Sequence, residues 1–527
     1  MRSRILARHL RRVLCLFPAY APAFGTFSHA FRMTGAKAFM PPQGLLLIAN
    51  YLPEPWEVRF VDENMARACP ADFAWADVVF VTGMHIQAAQ IHDVCRRAHA
   101  AGKIAALGGP SVSAAPEMYP DFDYLHIGEL GDATDDLIAR VDASVAPPAG
   151  QVRLVTHERL GLNDFPVPAY QLIRFERYLL GTLQFSSGCP YQCEFCDIPM
   201  LYGRQPRVKS PQQLIRELDS ILAQKVAPAT LYFVDDNFIG NRKATREMLP
   251  HLIEWQKQHG YPLSFACEAT LNIAKHERIL EMMREARFDT VFVGIETPEL
   301  SALKSMRKEH NASLPMMEAI RTLNRYGLEV VSGIILGLDT DTAATEAHLR
   351  EFIDHSGIPM LTMNLLQALP KTPLWSRLAR DDRLVTEGAR ESNVRFLRPY
   401  EEVMATWRRS VAYAYDPHRL YARFARQFRE TYPNRLATTG RGRATKANLK
   451  RGLRLLFNLL LRVGVLADYR SEFWTLARQA HRSGELQTLL GVGLVTYHLI
   501  EFSREALRGD QNASFYSARD RRGLATP

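Results

Sequence analysis

The chain has 527 residues, a formal net charge of +9 and 47% hydrophobic residues, which suits a folded protein of several domains and excludes a disordered or collagen-like chain. Seven cysteines, three of them within residues 189–196, do not make a disulfide framework and suit a reducing compartment. No stretch reaches the roughly 18 uninterrupted apolar residues of a spanning helix, and the opening MRSRILARHLRRVLCLFPAY lacks the apolar core and cleavage site of an export signal.

Residues 1–150 alternate short apolar strands with helical stretches. Residues 13–17 predict a first buried strand, followed by a long loop containing glycine and proline. PPQGLLLIANYL predicts a helix opened by proline, and WEVRFVDEN a strand. DVVFVTG at 77–83 is another strand, QIHDVCRRAHAAG a helix closed by Gly102, and KIAALGGP at 103–110 a strand ending in a glycine turn. DYLHIGELGDA is the last strand and turn. Such a series builds an open, Rossmann-like parallel sheet with its ligand crevice beyond the C-terminal strand ends. Gly83, Gly108, Gly109 and Gly128 collect at those ends, where backbone can approach a flat or phosphorylated ligand. There is no G-x-G-x-x-G fingerprint, so a nicotinamide reading is poor.

A proline-broken linker, LNDFPVPAYQLI, lies in residues 151–175. Residues 176–390 then repeat a strand-and-loop theme. YLLGTLQFSSG predicts the first strand, residues 211–225 the first helix, and ATLYFVDDNFIG, PLSFACEATLN, FDTVFVGIETP, LEVVSGIILGLD and MLTMNLLQALPKTPL the later strands. Six such units suit a barrel with functional loops at the C-terminal strand ends, and they resemble a known partial (β/α)6 barrel. Straight after the first strand comes GCPYQCEFC, which sets Cys189, Cys193 and Cys196 in a Cys-x3-Cys-x2-Cys pattern behind Gly188, with Phe195 before the last thiol. Three thiolates on one loop suit three irons of a [4Fe–4S] cube and leave the fourth iron open to a small molecule. Zinc is the alternative. It wants four ligands, usually as paired Cys-x2-Cys units, and Cys267 lies far downstream.

The acids at later strand ends are Asp235, Asp236, Glu268 and Glu296. Adjacent residues on an extended segment point to opposite faces, so Asp235 and Asp236 are not read as a catalytic dyad. Glu299, Asp339 and Asp341 are expected to be loop or cap residues. Arg204, Arg207 and Lys209 either solvate the loop after the cysteines or line a substrate path. No nucleophile elbow or Walker loop is present.

Residues 391–527 are predicted mostly helical. Tyr413, Tyr415, Tyr421 and Phe424 either close the barrel mouth over a bulky apolar substrate or form the core of a helical cap. A basic linker follows; from Thr431 to Ala467 there are eight arginines and lysines and no acid. In LKRGLRLLFNLLLRVGVLADYRSEFWTLARQA the arginines interrupt the apolar run, so the segment either lies on a membrane surface with its arginines at phosphate level or covers the protein core. Basic groups among leucines rather than stacking aromatics favour lipid over nucleic acid. The final ARDRRGLATP is expected to fray.

The cysteine motif, with Gly188 and Phe195, resembles that of the radical S-adenosylmethionine (SAM) enzymes. There the open iron chelates SAM, and one electron from the cluster cleaves it to methionine and a 5′-deoxyadenosyl radical. The resemblance implies that Phe195, Glu268, Glu296, Gly333 and Gly337 bind SAM, with Glu268 at the ribose and the Gly333–Gly337 stretch beside adenine. The loops TGMH, GGPSVS and GELGD resemble the cobalamin-binding domain of one class of these enzymes. That implies a cobalamin site formed by Gly83, His85, Gly108, Gly109, Pro110, Ser111, Gly128 and Glu129. The Asp-x-His-x-x-Gly motif of the cobalamin mutases is absent, so no histidine ligand to cobalt is implied.

FGTFSHAF, KAFMPPQGLLLIANYLP, FVDEN and FSSGCPYQCEFCDIP, with the basic leucine-rich end, resemble the bacterial hopanoid C-2 methylases. The resemblance implies SAM-derived methyl transfer through cobalamin to an unactivated sp3 carbon of a hopanoid. It also implies a flavodoxin- or ferredoxin-type electron donor and a cytoplasmic enzyme in peripheral contact with the inner membrane, with no nucleic-acid partner. The alternatives are methylation of a soluble natural product or tetrapyrrole, a nonmethylating radical cyclase or oxidase, and a cobalamin- or lipid-binding protein without catalysis.

Overall fold

The computed structural model describes residues 5–385, 390–436 and 446–510. The segment around Arg441 and Arg443 and the terminal ARDRRGLATP lie outside the described residues.

Two six-stranded parallel sheets organise the chain. The first holds β1 (Arg12–Phe17), β2 (Glu57–Asp62), β3 (Val78–Thr82), β4 (Ile104–Gly108), β5 (Tyr124–Ile127) and β6 (Val152–Val155) in the order β2-β1-β3-β4-β5-β6. The runs VLCLF and VVFVT are buried on both faces, as a sheet covered by helices on each side demands. Those helices include α1 (Gln43–Tyr51), α2 (Ala88–Ala100) and α3 (Asp132–Ala143). The strand order reverses between β1 and β3, which opens a crevice at their C-terminal ends. The segment read as a linker from residue 151 begins with β6, which pairs in parallel with β5. Its register is invisible in four residues of sequence and is supplied by the neighbouring strand.

The second sheet holds β7 (Gly181–Leu183), β10 (Thr230–Phe233), β11 (Ser264–Glu268), β12 (Phe288–Glu296), β13 (Glu329–Leu336) and β14 (Met360–Leu365), paired in that order and all parallel. The single strand expected for YLLGTLQFSSG is broken. After β7 the chain turns into β8 (Ser186–Ser187), which pairs antiparallel with β9 (Arg207–Val208). Helices α4 (Pro211–Leu222), α5 (Arg242–Gln258), α6 (Glu277–Glu285), α7 (Met316–Arg325) and α8 (Thr345–Ser356) fall between the strands. Ser210 caps the first of these by accepting from the Gln213 amide.

The C-terminal helices are α9 (Tyr400–Ala414), α10 (Pro417–Glu430), α11 (Lys446–Leu459), α12 (Arg470–Arg482) and α13 (Leu486–Arg508), with a π-helical stretch at Leu460–Leu466. The first of them covers the edge of the second sheet: Trp407 Nε1 donates to the Met363 carbonyl at 3.0 Å and the Tyr415 hydroxyl donates to the Leu361 carbonyl. Tyr415, Tyr421 and Phe424 are at most 3% exposed, and Tyr413 bonds Asp354 on α8. These aromatics are core and edge packing; none of these contacts puts them over the barrel mouth.

The loop after β1 also differs from a plain connection. Its Ser28–Thr34 helix leans on the C-terminal helices. Phe24 stacks on Tyr415 with centroids 5.2 Å apart, and His498 Nε2 sits 2.9 Å from the Phe24 carbonyl. The first and last parts of the chain thus share one hydrophobic core. No described helix is long and apolar enough to cross a membrane.

Candidate active site between two strand-end mouths

The cysteine loop leaves β7 under tight backbone control. Asp235 and Asp236 follow β10, and both grip this loop. Asp235 accepts from the amides of Phe185 and Ser186 at 2.8 and 2.9 Å and from the Ser186 hydroxyl at 2.7 Å; Asp236 accepts from the Gly188 amide at 2.7 Å. Burial pushes both carboxyls up to about 7. These bonds take the donors that would have extended β7, which is why that strand is short. Gly188 has φ +96°, and a Cβ there would come 2.9 Å from the Gly203 carbonyl oxygen; only glycine fits. The Cys189 amide donates to that same carbonyl at 3.1 Å.

Cys189, Cys193 and Cys196 are partly buried and free of disulfides. Burial raises all three thiols, Cys193 to about 11, and each of Cys193 and Cys196 is pushed further by the neighbouring thiols. Among the described residues no three His, Cys, Asp or Glu side chains converge closely enough for a single ion. A cube binds each thiolate to a different iron, so its ligands need not converge on one point. Asn237 is 1% exposed; its Nδ2 lies 3.9 Å from Cys189 Sγ, and its Oδ1 is buried without a hydrogen-bond partner. A buried acceptor left open beside the thiols suits an ammonium donor, so the residues present fit a cluster with SAM beside it.

Across the mouth, Glu296 ends β12 with φ +68°. Its Oε1 meets Lys308 Nζ at 2.5 Å, and the ammonium lies 5.3 Å from the Phe195 ring centroid. Burial pulls Lys308 down, but Glu296 and Cys193 more than offset it and its pKa is raised; the cation in turn lowers the Cys189 and Cys193 thiols. Phe195, Glu296, Lys308 and the cysteines form one group. Lys308 was not singled out from the sequence, since nothing in its spacing marks it. Glu268 ends β11, accepts from the Tyr232 hydroxyl at 3.1 Å, and is pushed by burial to about 7. Gly333 lies on β13 with Glu296 Oε2 3.7 Å from its would-be Cβ. Gly337 has φ +87° and its missing Cβ is replaced by the Phe396 ring, while its amide donates to Asp341 at 2.7 Å. Asp339 binds Arg377 and Arg383, and Glu299 accepts from Thr345. These acids hold loops, as expected.

The first sheet presents a second mouth. Gly83 and His85 follow β3, Gly108 ends β4, and Gly109, Pro110 and Ser111 open a single helical turn. Gly128 and Glu129 follow β5. Ser111 is fully buried, with its Oγ 3.1 Å from His85 Nδ1. Gly109 has φ +98° and a Cβ there would sit 2.2 Å from Thr82 Oγ1; Gly128 has φ +113° and faces Thr156 at 3.0 Å. Small, uncharged groups at a topological switch point fit a large flat cofactor such as cobalamin.

The two mouths face each other. The Glu129 carboxylate reaches the cysteine-loop hairpin, bonding Arg207 at 2.5 Å and Ser187 Oγ at 3.2 Å, and it also pairs with Arg159 at 3.0 Å. Arg159 donates to the Leu201 and Tyr202 carbonyls at 3.1 Å each. Lys371, after β14, donates to the Ser113 carbonyl at 2.7 Å. Glu129 is thus engaged by the other sheet's loops rather than by the cleft it was expected to line, and Arg207 is its partner rather than a solvated loop charge. Lys209 is also not a surface group: it forms a buried pair with Glu217 at 2.6 Å.

The Radical SAM superfamily model matches residues 183–353, and a domain of unknown function (DUF4070) matches residues 372–512. Sheet, cysteine loop and domain match define the class, a radical SAM enzyme. The chain belongs to the family of the hopanoid C-2 methylase. It is 57% identical to the hopanoid C-2 methylase of Rhodopseudomonas palustris (strain TIE-1), over 97% of each chain. In fold it is similar to OxsB, a cobalamin-dependent SAM radical enzyme solved with aqua-cobalamin and SAM bound (TM-score 0.60, 15% identity, covering 98% of this chain and 82% of that one). It is also similar in fold to the radical SAM methyltransferase TsrM of Kitasatospora setae (TM-score 0.58, 14% identity, 90% of this chain and 100% of that one). The radical SAM match implies use of SAM and an iron–sulfur cluster.

Proposed function

We propose that the enzyme methylates a hopanoid at C-2, an unactivated ring carbon. The observation that carries this is the 57% identity over nearly the whole length of both chains, which includes the C-terminal region as well as the barrel. When bound, the cluster with SAM supplies a carbon-centred radical and cobalamin supplies the methyl group. The protein's own share is positioning and exclusion of water.

In this reading residues 1–150, with β6, hold cobalamin in a Rossmann-like domain. Residues 176–390 form the partial-barrel radical SAM core, and residues 391–527 a helical cap. Cys189, Cys193 and Cys196 hold the cluster. Phe195, Glu268, Glu296, Gly333 and Gly337 line the SAM side, with Asn237 accepting from the SAM amine and Lys308 fixing Glu296. Gly83, His85, Gly108, Gly109, Pro110, Ser111 and Gly128 form the cobalamin side without a histidine ligand to cobalt. Glu129 locks the two sides together. Electrons come from a flavodoxin or ferredoxin, and the enzyme works in the cytoplasm beside the membrane that holds its substrate.

The test is expression in a hopanoid-producing host that lacks methylated hopanoids, followed by lipid mass spectrometry. A new hopanoid heavier by one methylene, absent with Cys193→Ala, is the expected result. Unchanged hopanoids from a protein that carries its cluster and cobalamin and cleaves SAM would remove the hopanoid and leave the methylase class.

A further inference from the structure

Helix α11 and the π-helical stretch after it carry apolar residues on two opposite faces. One face belongs to the protein. Leu459 and Val463 are at most 1% exposed, the Leu459 side chain fills the space left by Gly493 on α13, and Asn458 donates to the Met33 carbonyl. The other face is exposed among the described residues. Leu453, Leu456, Phe457, Leu460 and Leu461 recur at helical spacing and are 38–65% exposed. Val465 and Leu466 continue the face at 59% and 68%. Trp474 on α12 extends it: its Nε1 donates to the Gly464 carbonyl at 2.8 Å while the ring is 40% exposed. Single exposed leucines are ordinary on a protein surface, but a contiguous run of this kind marks an interaction site.

Charge identifies the occupant. Lys450 flanks the helix face and is exposed, and Arg470 and Arg478 stand one turn either side of Trp474, also exposed; Arg454 is exposed too, with its guanidinium beside Gly35. No acid occurs between Lys446 and Ala467. The first acids beyond are already matched, Asp468 with Arg504 at 2.7 Å and Glu472 with His418 at 3.3 Å. An apolar face with a tryptophan at its margin and an unopposed basic rim is the pattern of a surface that sinks into the acyl boundary beneath anionic headgroups. A hydrophobic protein partner would leave that rim unexplained.

We propose that the face formed by α11, the π-helical stretch and Trp474 is the membrane-binding surface of the enzyme, with anionic phospholipid as its partner. This rests on the membrane-side reading above and specifies which residues make the contact. The face holds the enzyme on the bilayer without spanning it, with the leucines and Phe457 buried among acyl chains and the lysine and arginines at phosphate level.

The test is flotation of the full-length, cofactor-loaded protein with vesicles of phosphatidylglycerol and phosphatidylcholine in equal parts, containing no hopanoid, against vesicles of phosphatidylcholine alone. The protein floats with the anionic vesicles and less well at high salt. Phe457→Glu combined with Leu461→Glu lowers the partition coefficient at least about tenfold, because two large apolar side chains leave the bilayer. SAM cleavage to 5′-deoxyadenosine stays at the parent rate and reports that the variant is folded and loaded. Failure of the parent protein to float overturns the proposal, and so does equal flotation of the variant. A change from dimer to monomer in light scattering, without vesicle binding by the parent, overturns it in favour of a second copy of this chain. Because the vesicles hold no substrate, flotation and hopanoid methylation succeed or fail separately.

Discussion

The two strand-end mouths are built from opposite materials. The barrel mouth is rich in ionisable groups: Asp235 and the Glu296–Lys308 pair are buried, and the three thiols, Asp236 and Glu268 partly so. The first sheet's mouth holds four glycines, Gly109 and Gly128 with positive φ, a buried serine and a histidine tied to it. Buried charge is expensive unless partnered. In the proposed reading the barrel mouth bears that cost for a cluster and a charged cosubstrate, and the glycine mouth takes a bulky ring system. The difference lies in the strand-end residues and not in the sheets, which are both six-stranded and parallel.

The largest break in this comparison is at the thiols. Alanine at Cys189, Cys193 and Cys196 together should remove the cluster and all SAM cleavage. Anaerobic iron and sulfide analysis should read background, with cobalamin content unchanged because that mouth is built elsewhere. Retained iron would show that other ligands hold it. Cys15, Cys95 and Cys267 are buried, and single alanine changes there should leave iron content intact.

Separating the mouths without emptying either is the next largest effect. Glu129→Ala deletes the carboxylate shared by Arg159, Arg207 and Ser187. Methyl transfer should fall by roughly ten- to a hundredfold, since misplacement by about 1 Å is costly, while 5′-deoxyadenosine formation persists. The ratio of 5′-deoxyadenosine to methylated product checks this, and a proportional loss of both would argue against a bridging role.

A smaller effect is expected at Gly109. An alanine Cβ would collide with Thr82 Oγ1 at 2.2 Å and take φ +98°, at a cost of roughly 1–3 kcal/mol. Cobalamin content after anaerobic reconstitution should drop while SAM cleavage continues; an unchanged cobalt content would weaken the assignment of this loop.

The smallest effect is on acid stability. His126 is held down to about 4 and His498 to about 3, both by burial. The folded state therefore keeps these rings neutral while the unfolded chain titrates near its ordinary value of 6.5. Stability is full above that value and is lost as pH falls toward 4, because the unfolded state then binds more protons. Urea midpoints between pH 7 and pH 5 should decrease. His126→Gln should flatten that slope, and an unaltered slope would mean that other groups set it.

How much of this could be read from the chain depends on whether the signal is local. The cysteine spacing, Gly188, the glycine turns after β3 and β4, and the acids at β11 and β12 are all local features, and they stand where the pattern put them. What was missed is tertiary. Lys308 gains meaning only from Glu296 and Phe195 beside it. Glu129 looks like a cleft residue until Arg207 arrives from another sheet. Asp235 and Asp236 alternate along an extended segment, yet both find donors because the chain ahead of Gly188 bends around them. The aromatics of α9 and α10 carry no sign of which side of the barrel they cover; the open edge of β14 decides that. The segment after β1 reads as a loop because its partners, Tyr415 and His498, lie far along the chain in the C-terminal helices.

The central claim is that the cysteine mouth and the glycine mouth bound one cleft. Electron paramagnetic resonance of the anaerobic enzyme, holding a reduced cluster and cobalamin in its cobalt(II) state together, tests it most directly. The account predicts that each signal is broadened or split by the other, and that Glu129→Ala weakens the interaction. Two unperturbed spectra simply added together, in protein shown to contain both cofactors, would contradict it.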